Sequence, residues 1–393
     1  MINIPTIQQL RAAIKADIET TFGNNIPAFG KNFLRALTFV QAGILKLYYL
    51  AIAFLQKNIF VDTADPEAQG GTLERFGRVK LGRNPFPATA GQYEIIVTGD
   101  VGGTIPASTT FKSNDDTTNP GKLFVLDSAF ILVTNPDTIV VRALEAGVGS
   151  KMQVGEGMTA TSPIPDVNRS ATVTAEPIEP RAAETIEDYR DKAIEAYRLE
   201  SQGGAVGDYR IWSSDAQGVK QVYPYSASGT DGEVNLYIEA TVIDSIDGKG
   251  TPSAGLISDV EAVVELDPDI TRPINERGRR PIQVIVNFLP ITALDVEINI
   301  SGFVGLTGDI QTSIYEALKG EIDKIRPFIA GADVLADKND ILDVNRIISV
   351  ILNVRPGSVF GAVTFKVDGV SVSSYLFDEG NIPYIQSSFI TYV

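Results

Sequence analysis

The sequence predicts a multidomain α+β protein: an N-terminal helical bundle segment, a β-rich domain, then two-layer α+β domains. Three observations predict it. The 393 residues exceed what one core organises, at roughly 100–200 residues per domain. Apolar residues make up 44% and charged ones 21%, a composition that folds. Hydrophobic periodicity changes along the chain, helical before residue 60, strand-like from 89 to 175, and alternating after that. The expected boundaries are 1–61 for the N-terminal helices, 62–175 for the β-rich domain, and 182–290 and 291–393 for two α+β domains.

Charge singles out the first segment. Residues 1–60 hold six bases and two acids, a net +4, which leaves 27 bases against 47 acids, −20, on the other 333 residues. Such asymmetry marks a separate unit with a partner of its own. The segment reads as a helix over Ile7–Phe22, a break at Asn24-Asn25-Ile26-Pro27, and a long helix from about Lys31 to Phe60. In the long helix Phe33, Leu37, Val40, Ile44, Leu47, Ala51 and Phe54 alternate spacings of four and three, an a/d seam. Beside it runs a second row of Leu34, Leu45, Tyr48, Ile52, Leu55 and Ile59, with Gln41 as its polar exception, while Arg35, Lys46 and Gln56 fall opposite. Two adjacent seams need more than one partner helix. The first helix supplies one, and another chain the rest. The candidate partner interface is therefore Phe33, Leu37, Val40, Ile44, Leu47, Tyr48, Ala51, Ile52, Phe54 and Leu55.

A membrane span is the competing reading, because residues 36–55 hold ten Leu, Ile, Phe or Val residues, worth about −3 to −6 kcal/mol for insertion. Lys46 at the midpoint opposes this by about 2.5–3.5 kcal/mol, and Gln41, Thr38 and Gly43 add to the penalty. Seven seam side chains at roughly 1.5–3 kcal/mol each favour a bundle in water. The N-terminus lacks a basic start, apolar core and small-residue cleavage site, so no signal peptide is expected.

From Thr89 to Ala175, short runs (Tyr93–Thr98, Leu123–Val133, Thr138–Leu144) separated by turn residues predict strands. AEPIEPRAAE, 175–184, reads as a connector. A helix follows over Thr185–Glu200, then a short helix from GGAVGDYRIW (203–212), strands at Val219–Tyr223 and Val234–Ala240, a helix at Ser253–Leu266 and a strand at Ile282–Leu289. The last third predicts a strand at Ala293–Val304, helices at Asp309–Ile325 and Asn339–Leu352, and strands at Val359–Val367 and Ile385–Val393.

The chain has no Cys and no His. Thiol nucleophiles, disulfides, structural zinc sites and Ser-His-Asp triads are excluded, and no compartment is implied by thiol chemistry. No phosphate-binding glycine loop occurs: GVGSKMQVGEG (147–157) and DGKGT (247–251) have the wrong spacing. Asp231, Asp244 and Asp247 lack the ligand alternation of a calcium loop and read as solvated turn acids. Glu184, Glu187, Asp188, Asp191 and Glu195, interspersed with Arg181, Arg190 and Lys192, read as a solvated or interface face of a helix. Carboxylate-dependent glycan or peptidoglycan hydrolysis is the enzymatic alternative. RPINERGRRP (272–281) is basic within an acidic protein, and Arg277, Arg279 and Arg280 form a candidate loop for docking an acidic subunit. Trp212, Tyr209, Tyr223 and Tyr225 read as core. No cofactor, metal or nucleic-acid partner is expected from an acidic chain with these motifs.

Several local patterns, in order, resemble the baseplate J-like proteins of contractile phage tails and related injection machines. GGTIPAST (102–109) resembles the family's Gly-x-x-Ile-Pro-Ala-Gly-Thr turn, with Ser108 in place of the usual glycine. RALEAGVGSKMQVGEGM (142–158) is similar to the stretch that follows it, with Ser150 where Asn is common. ETIEDYRDKAIEAYR, then GGAVGDYRIWSSDAQGVKQVYPYS and GEVNLYIEAT, resembles the most specific block, and DEGNIPYIQSSFITYV the closing strand. The resemblance spans about 62–393. It implies a non-enzymatic structural wedge subunit, two copies per wedge, in the virion tail baseplate and assembled in the host cytoplasm. The implied partners are a second copy of itself, a smaller wedge protein through the N-terminal helices, neighbouring wedges through the C-terminal domain, and hub and sheath-initiator proteins, with no membrane.

Overall fold

In a computed structural model the chain divides into two compact units, Met1–Asn84 with Ile186–Tyr197, and Pro85–Thr185 with Arg198–Val393. The structure describes residues 3–22, 28–199, 203–230 and 232–393. The expected break at Asn24–Pro27, the helix end at Glu200 and the turn acid Asp231 lie outside the described residues.

The first unit is helical. Helix α1 (Ile7–Phe22) starts where the sequence places it, because Thr6 and Gln9 form a capping box. The Gln9 amide donates to Thr6 Oγ1 at 3.2 Å and the Thr6 amide to Gln9 Oε1 at 2.8 Å. Helix α2 (Ala28–Lys57) follows; its 30 residues span about 45 Å. Helix α3 (Leu73–Leu81) ends on Gly82, whose φ of 73° suits a left-handed cap. Helix α4 (Ile186–Arg198) joins this unit through Tyr189. The buried Tyr189 ring lies with Ala64 and Leu73, and its hydroxyl donates to the Arg83 carbonyl at 2.7 Å. Gly77 of α3 admits it, since a Cβ there would lie 2.0 Å from the hydroxyl. Arg190 donates to the carbonyls of Val61 and Ala64, at 3.1 and 2.7 Å, and Lys192 is buried. The acidic helix is thus an anchored element with one outer face and not a wholly solvated one.

The second unit begins with a closed barrel. Its strands come from β1 (Gln92–Gly99), β2 (Thr104–Ile105), β3 (Thr110–Ser113), β4 (Leu123–Val125), β5 (Phe130–Ile131), β6 (Asp137–Ala143), β7 (Gly157–Ala160) and β8 (Val167–Ile178). The closed order is β1-β6-β4-β3-β7-β8, with β2 and β5 paired separately. Alternation sends Tyr93, Ile95 and Val97 of β1 and Ile139, Val141 and Ala143 of β6 inward, where they meet Phe111, Phe124 and Met158. The run expected at Leu123–Val133 is two strands, β4 and β5. The connector also differs from expectation. Residues 175–178 belong to β8, and Arg181 is buried and bridged to Thr89, so the stretch is pinned to the barrel.

Next come α5 (Val206–Ser213), β9 (Val219–Ser226), β10 (Glu233–Ala240), α6 (Ala254–Glu265) and β11 (Ile285–Pro290). The sheet order is β11-β10-β9, with β10 antiparallel to β9 and, across α6, parallel to β11. Helices α5 and α6 cover one face through Tyr209, Trp212, Leu256, Val260 and Val264. Tyr223 is buried on the other face, so the aromatic group read as core is core, with Tyr225 at its edge.

The last region contains β12 (Thr292–Ile300), α7 (Gly308–Ile322), β13 (Ile341–Asp343), α8 (Val344–Val354), β14 (Val363–Val367), β15 (Val370–Val372), β16 (Ser374–Leu376), β17 (Asn381–Tyr384) and β18 (Ile390–Tyr392). Strand β12 lies centrally, antiparallel to β14 and parallel to β17 and β18. Helices α7 and α8 cover the sheet through Ile314, Leu318, Ile322, Ile347 and Ile351. The helix expected from Asn339 starts at Val344. Asp343 caps it by accepting from the Arg346 amide at 2.9 Å, and residues 341–343 pair with β16.

Ser108, the residue that replaces glycine in the GGTIPAST turn, has a φ of 64°. A side chain in that region costs about 1–2 kcal/mol, partly offset by the greater unfolded-state freedom of glycine. Ser108 is exposed. Ser108→Gly is therefore expected to stabilise the protein by about 0.5–1 kcal/mol in urea denaturation, and a loss of stability would refute the strain assignment.

Candidate partner interface

Within α2, side chains are described from Asn32 onward. The residues turned inward are Thr38 and Ala42, fully buried, flanked by the half-buried Lys46, Tyr49, Ala53 and Gln56. At 100° per residue these form one narrow strip. Helix α1 packs on α2. The chain just before α1 also reaches this helix: Lys46 Nζ donates to the Pro5 carbonyl at 3.0 Å, and the Arg11 guanidinium lies 5.9 Å from the Phe39 ring centre. Small side chains permit close approach, and the carbonyl satisfies the ammonium.

The a/d seam lies on the opposite side. Phe33, Val40, Ile44, Leu47, Ala51 and Phe54 are exposed, and Leu37 is half-buried. Tyr48, Ile52 and Leu55 of the second row are exposed as well. Exposure reaches 65% at Phe33, 66% at Leu47 and 62% at Leu55, far above what an intramolecular seam shows. The expectation that helix one covers one seam is corrected: α1 takes the side of Thr38, Ala42 and Lys46, of which the sequence reading placed Lys46 outward. Among the described residues one helical stretch, Asn32–Lys57, is also long and apolar enough to cross a membrane.

The arginine loop is held within its own chain. Arg277 donates to the Asp267 carbonyl at 3.3 Å. Arg279 pairs with Asp215 Oδ2 at 2.8 Å and Asp267 Oδ1 at 3.2 Å, and Arg280 Nε with Glu265 Oε1 at 2.8 Å. Arg272 and Ile274 of this loop, and Ile270 and Ile282 beside it, are exposed.

Among the described residues no group of three or more Asp or Glu is placed to hold a metal ion. Asp247 is a turn acid, accepting from Thr251 Oγ1. Asp244 is not solvated: it is buried and accepts from the Ala182 amide at 2.9 Å. A cavity of about 670 Å³ opens between the barrel and α6, lined among others by Lys151, Glu176, Glu179, Arg181, Ser253 and Asp259. Burial pushes the Glu176 carboxyl above its ordinary range, against the attraction of Lys151, and its Oε1 is buried without a hydrogen bond. Burial also acts on Glu179, but Lys151 at 2.5 Å, Ser253 at 2.6 Å and Arg181 at 2.8 Å outweigh it and hold that carboxyl low. Both Glu179 oxygens are thus occupied, whereas Glu176 Oε1 is not.

Against known families, residues 201–290 match the model described as the Baseplate J-like central domain. The chain carries a baseplate J-like domain. The match covers α5, β9, β10, α6 and β11, and contains the GGAVGDYRIW and GEVNLYIEAT blocks that carried the resemblance. A solved structure of the anti-feeding prophage (AFP) baseplate, 6-fold symmetrised, is similar at 9% identity, over 97% of this chain and 90% of that chain, with a TM-score of 0.43. No curated protein matches the chain. Within the matched stretch Tyr209 and Trp212 meet edge-to-face at 5.3 Å in the core, where they pack.

Because the folded state raises the Glu176 pKa, ionisation there opposes folding. The effect is absent below the ordinary glutamate value of about 4.3, where both states are protonated, and grows as pH rises through the raised value. Glu176→Gln is expected to stabilise the protein at pH 7 and to be neutral near pH 4. Equal effects at both pH values in urea titrations would contradict this.

Proposed function

We propose that the protein is a structural, non-enzymatic wedge subunit of a contractile-tail or related injection-machine baseplate, docked through the outward face of α2 into a helical bundle with other chains. The observation that carries the reading is the uncovered apolar seam of α2, in a chain that also holds a baseplate J-like domain. The bundle would contain a second copy of the chain and a smaller wedge protein. Residues 291–393 would meet neighbouring wedges in a ring around the hub and next to the sheath initiator, in a virion tail assembled in the host cytoplasm. When the ring changes shape, the bundle would serve as the grip on one wedge. The domain limits 1–61, 62–175, 182–290 and 291–393 belong to the same proposal.

Membrane anchoring is the second reading, favoured by the length and composition of Asn32–Lys57. The two differ in what α2 needs: helices or lipid.

The test is light scattering of the full chain and of a form lacking residues 1–60, alone and co-expressed with adjacent tail proteins, alongside Leu47→Asp/Leu55→Asp. Each side chain contributes about 1.5–3 kcal/mol when buried, so the double variant is expected to weaken association by about 10²–10⁴-fold. Both positions are exposed, so the melting of the isolated chain stays unchanged. Retention of the full chain in a carbonate-washed membrane fraction would favour anchoring. Full association after removal of 1–60 would overturn the bundle.

A further inference from the structure

Two cations and two acids, paired across a long stretch of sequence, join the baseplate J-like domain to a segment outside it. Glu239 of β10 is 2% exposed. Its carboxylate accepts from Lys220 Nζ at 2.9 Å and Tyr223 hydroxyl at 2.5 Å, both on β9. It also accepts from Arg326, whose Nε lies 3.2 and 3.1 Å from the two oxygens and whose second nitrogen lies 3.0 Å away. Seven residues on, Asp333 takes both terminal nitrogens of Arg210 of α5, at 2.5 and 3.0 Å. Arg210 is 3% exposed. Asp333 also accepts the Ile329 amide at 2.7 Å, which folds the intervening residues into a compact turn.

Between the two ion pairs, Ile329 and Ala332 are buried with Tyr223, Ile291 and Ile382. Gly331 sits at φ 90°, and a Cβ there would lie 3.1 Å from Val206, so the backbone itself approaches the start of α5. The segment therefore leaves the last region after α7, is gripped by α5, β9 and β10, and returns to β13. Both ends are charge-assisted, and the middle is apolar. The charges Glu239 and Arg210 lie within residues 201–290, whereas Arg326 and Asp333 lie outside.

We propose that residues 326–333 are a clasp that locks the baseplate J-like domain to the region from Thr292 to Val393, so that the two open and move as one body. Buried charges enforce this more strictly than apolar contact alone. Pulling the clasp away takes the Asp333 carboxylate from Arg210 and leaves Glu239 with fewer cations, and weakening the pairing of buried charges is strongly unfavourable. The direct chain link from β11 to β12 has no such penalty for flexing.

The test uses the full chain. Trp212 is the single tryptophan and reports the baseplate J-like domain; hydrogen–deuterium exchange with mass spectrometry reports 292–393 in the same urea series. In the unaltered protein the Trp212 transition and the exchange of core amides on β12, β14 and α7 are expected to share one midpoint and one urea dependence. Arg326→Met removes the clasp's cation while leaving Glu239 paired to Lys220 and Tyr223. It is expected to raise separate opening of 292–393 about a hundredfold, so that this region's exchange no longer follows the Trp212 transition. Arg326→Lys is expected to recover part of the coupling. Two separate transitions in the unaltered protein would overturn the proposal even if no variant folded, and so would an Arg326→Met variant whose two regions still open together.

Discussion

Among the described residues the apolar side of α2 has no cover, and that one deficit bears on everything else in the first unit. Helix α1 lies against the side of Thr38, Ala42 and Lys46, where small side chains and one ammonium give it a weakly apolar contact. Among the described side chains of α1, Leu10 is the one buried apolar residue it contributes. Meanwhile Phe33, Val40, Ile44, Leu47 and Leu55 face out. A contiguous exposed stripe of this length is the pattern an interaction site shows, and it is what the proposed bundle would cover. The barrel, the baseplate J-like domain and the last region each close their own cores, so the demand for a partner is concentrated in the first unit.

Periodicity made the helices and the alternating strands legible. Tyr93, Ile95 and Val97 point inward because every second residue of β1 is apolar, and α1 begins at Ile7 because Thr6 and Gln9 stand three apart. Barrel closure was not legible, since a period of two fixes which face is buried and not which strand lies alongside. The depth of the connector was hidden for a related reason. Arg181 and Glu179 look like solvent-seeking residues until Lys151, Ser253 and Asp259, distant in sequence, supply their partners.

The candidate site was legible in composition and reversed in orientation. The seam residues are correctly spaced, yet α1 settles on the other side, because spacing counts apolar positions and says nothing of which neighbour takes them. The arginines show the same limit. Arg279 reads as a free cation in RPINERGRRP, but Asp215 and Asp267 sit on either side of its guanidinium. Of the loop's arginines it is Arg272 that stays exposed, beside Ile274. A charged run in an acidic chain is drawn to its own acids, and only the fold reveals which ones.

The position of Lys46 bears on whether lipid or protein covers α2. In the folded chain its ammonium is satisfied by the Pro5 carbonyl beside α1. Entry of α2 into a bilayer has two routes. If α1 stays attached, Arg11, Lys15, Asp17 and Glu19 are carried toward the hydrocarbon, each opposed by about 2.5–3.5 kcal/mol where it reaches the centre. If α1 detaches, Lys46 loses its acceptor at mid-helix and must be inserted bare or snorkel a long way. A helical partner asks for neither, because it covers the opposite face and leaves the α1 contact in place. The seam and the Lys46 contact lie on opposite sides of one helix, so the proposed bundle would satisfy both together.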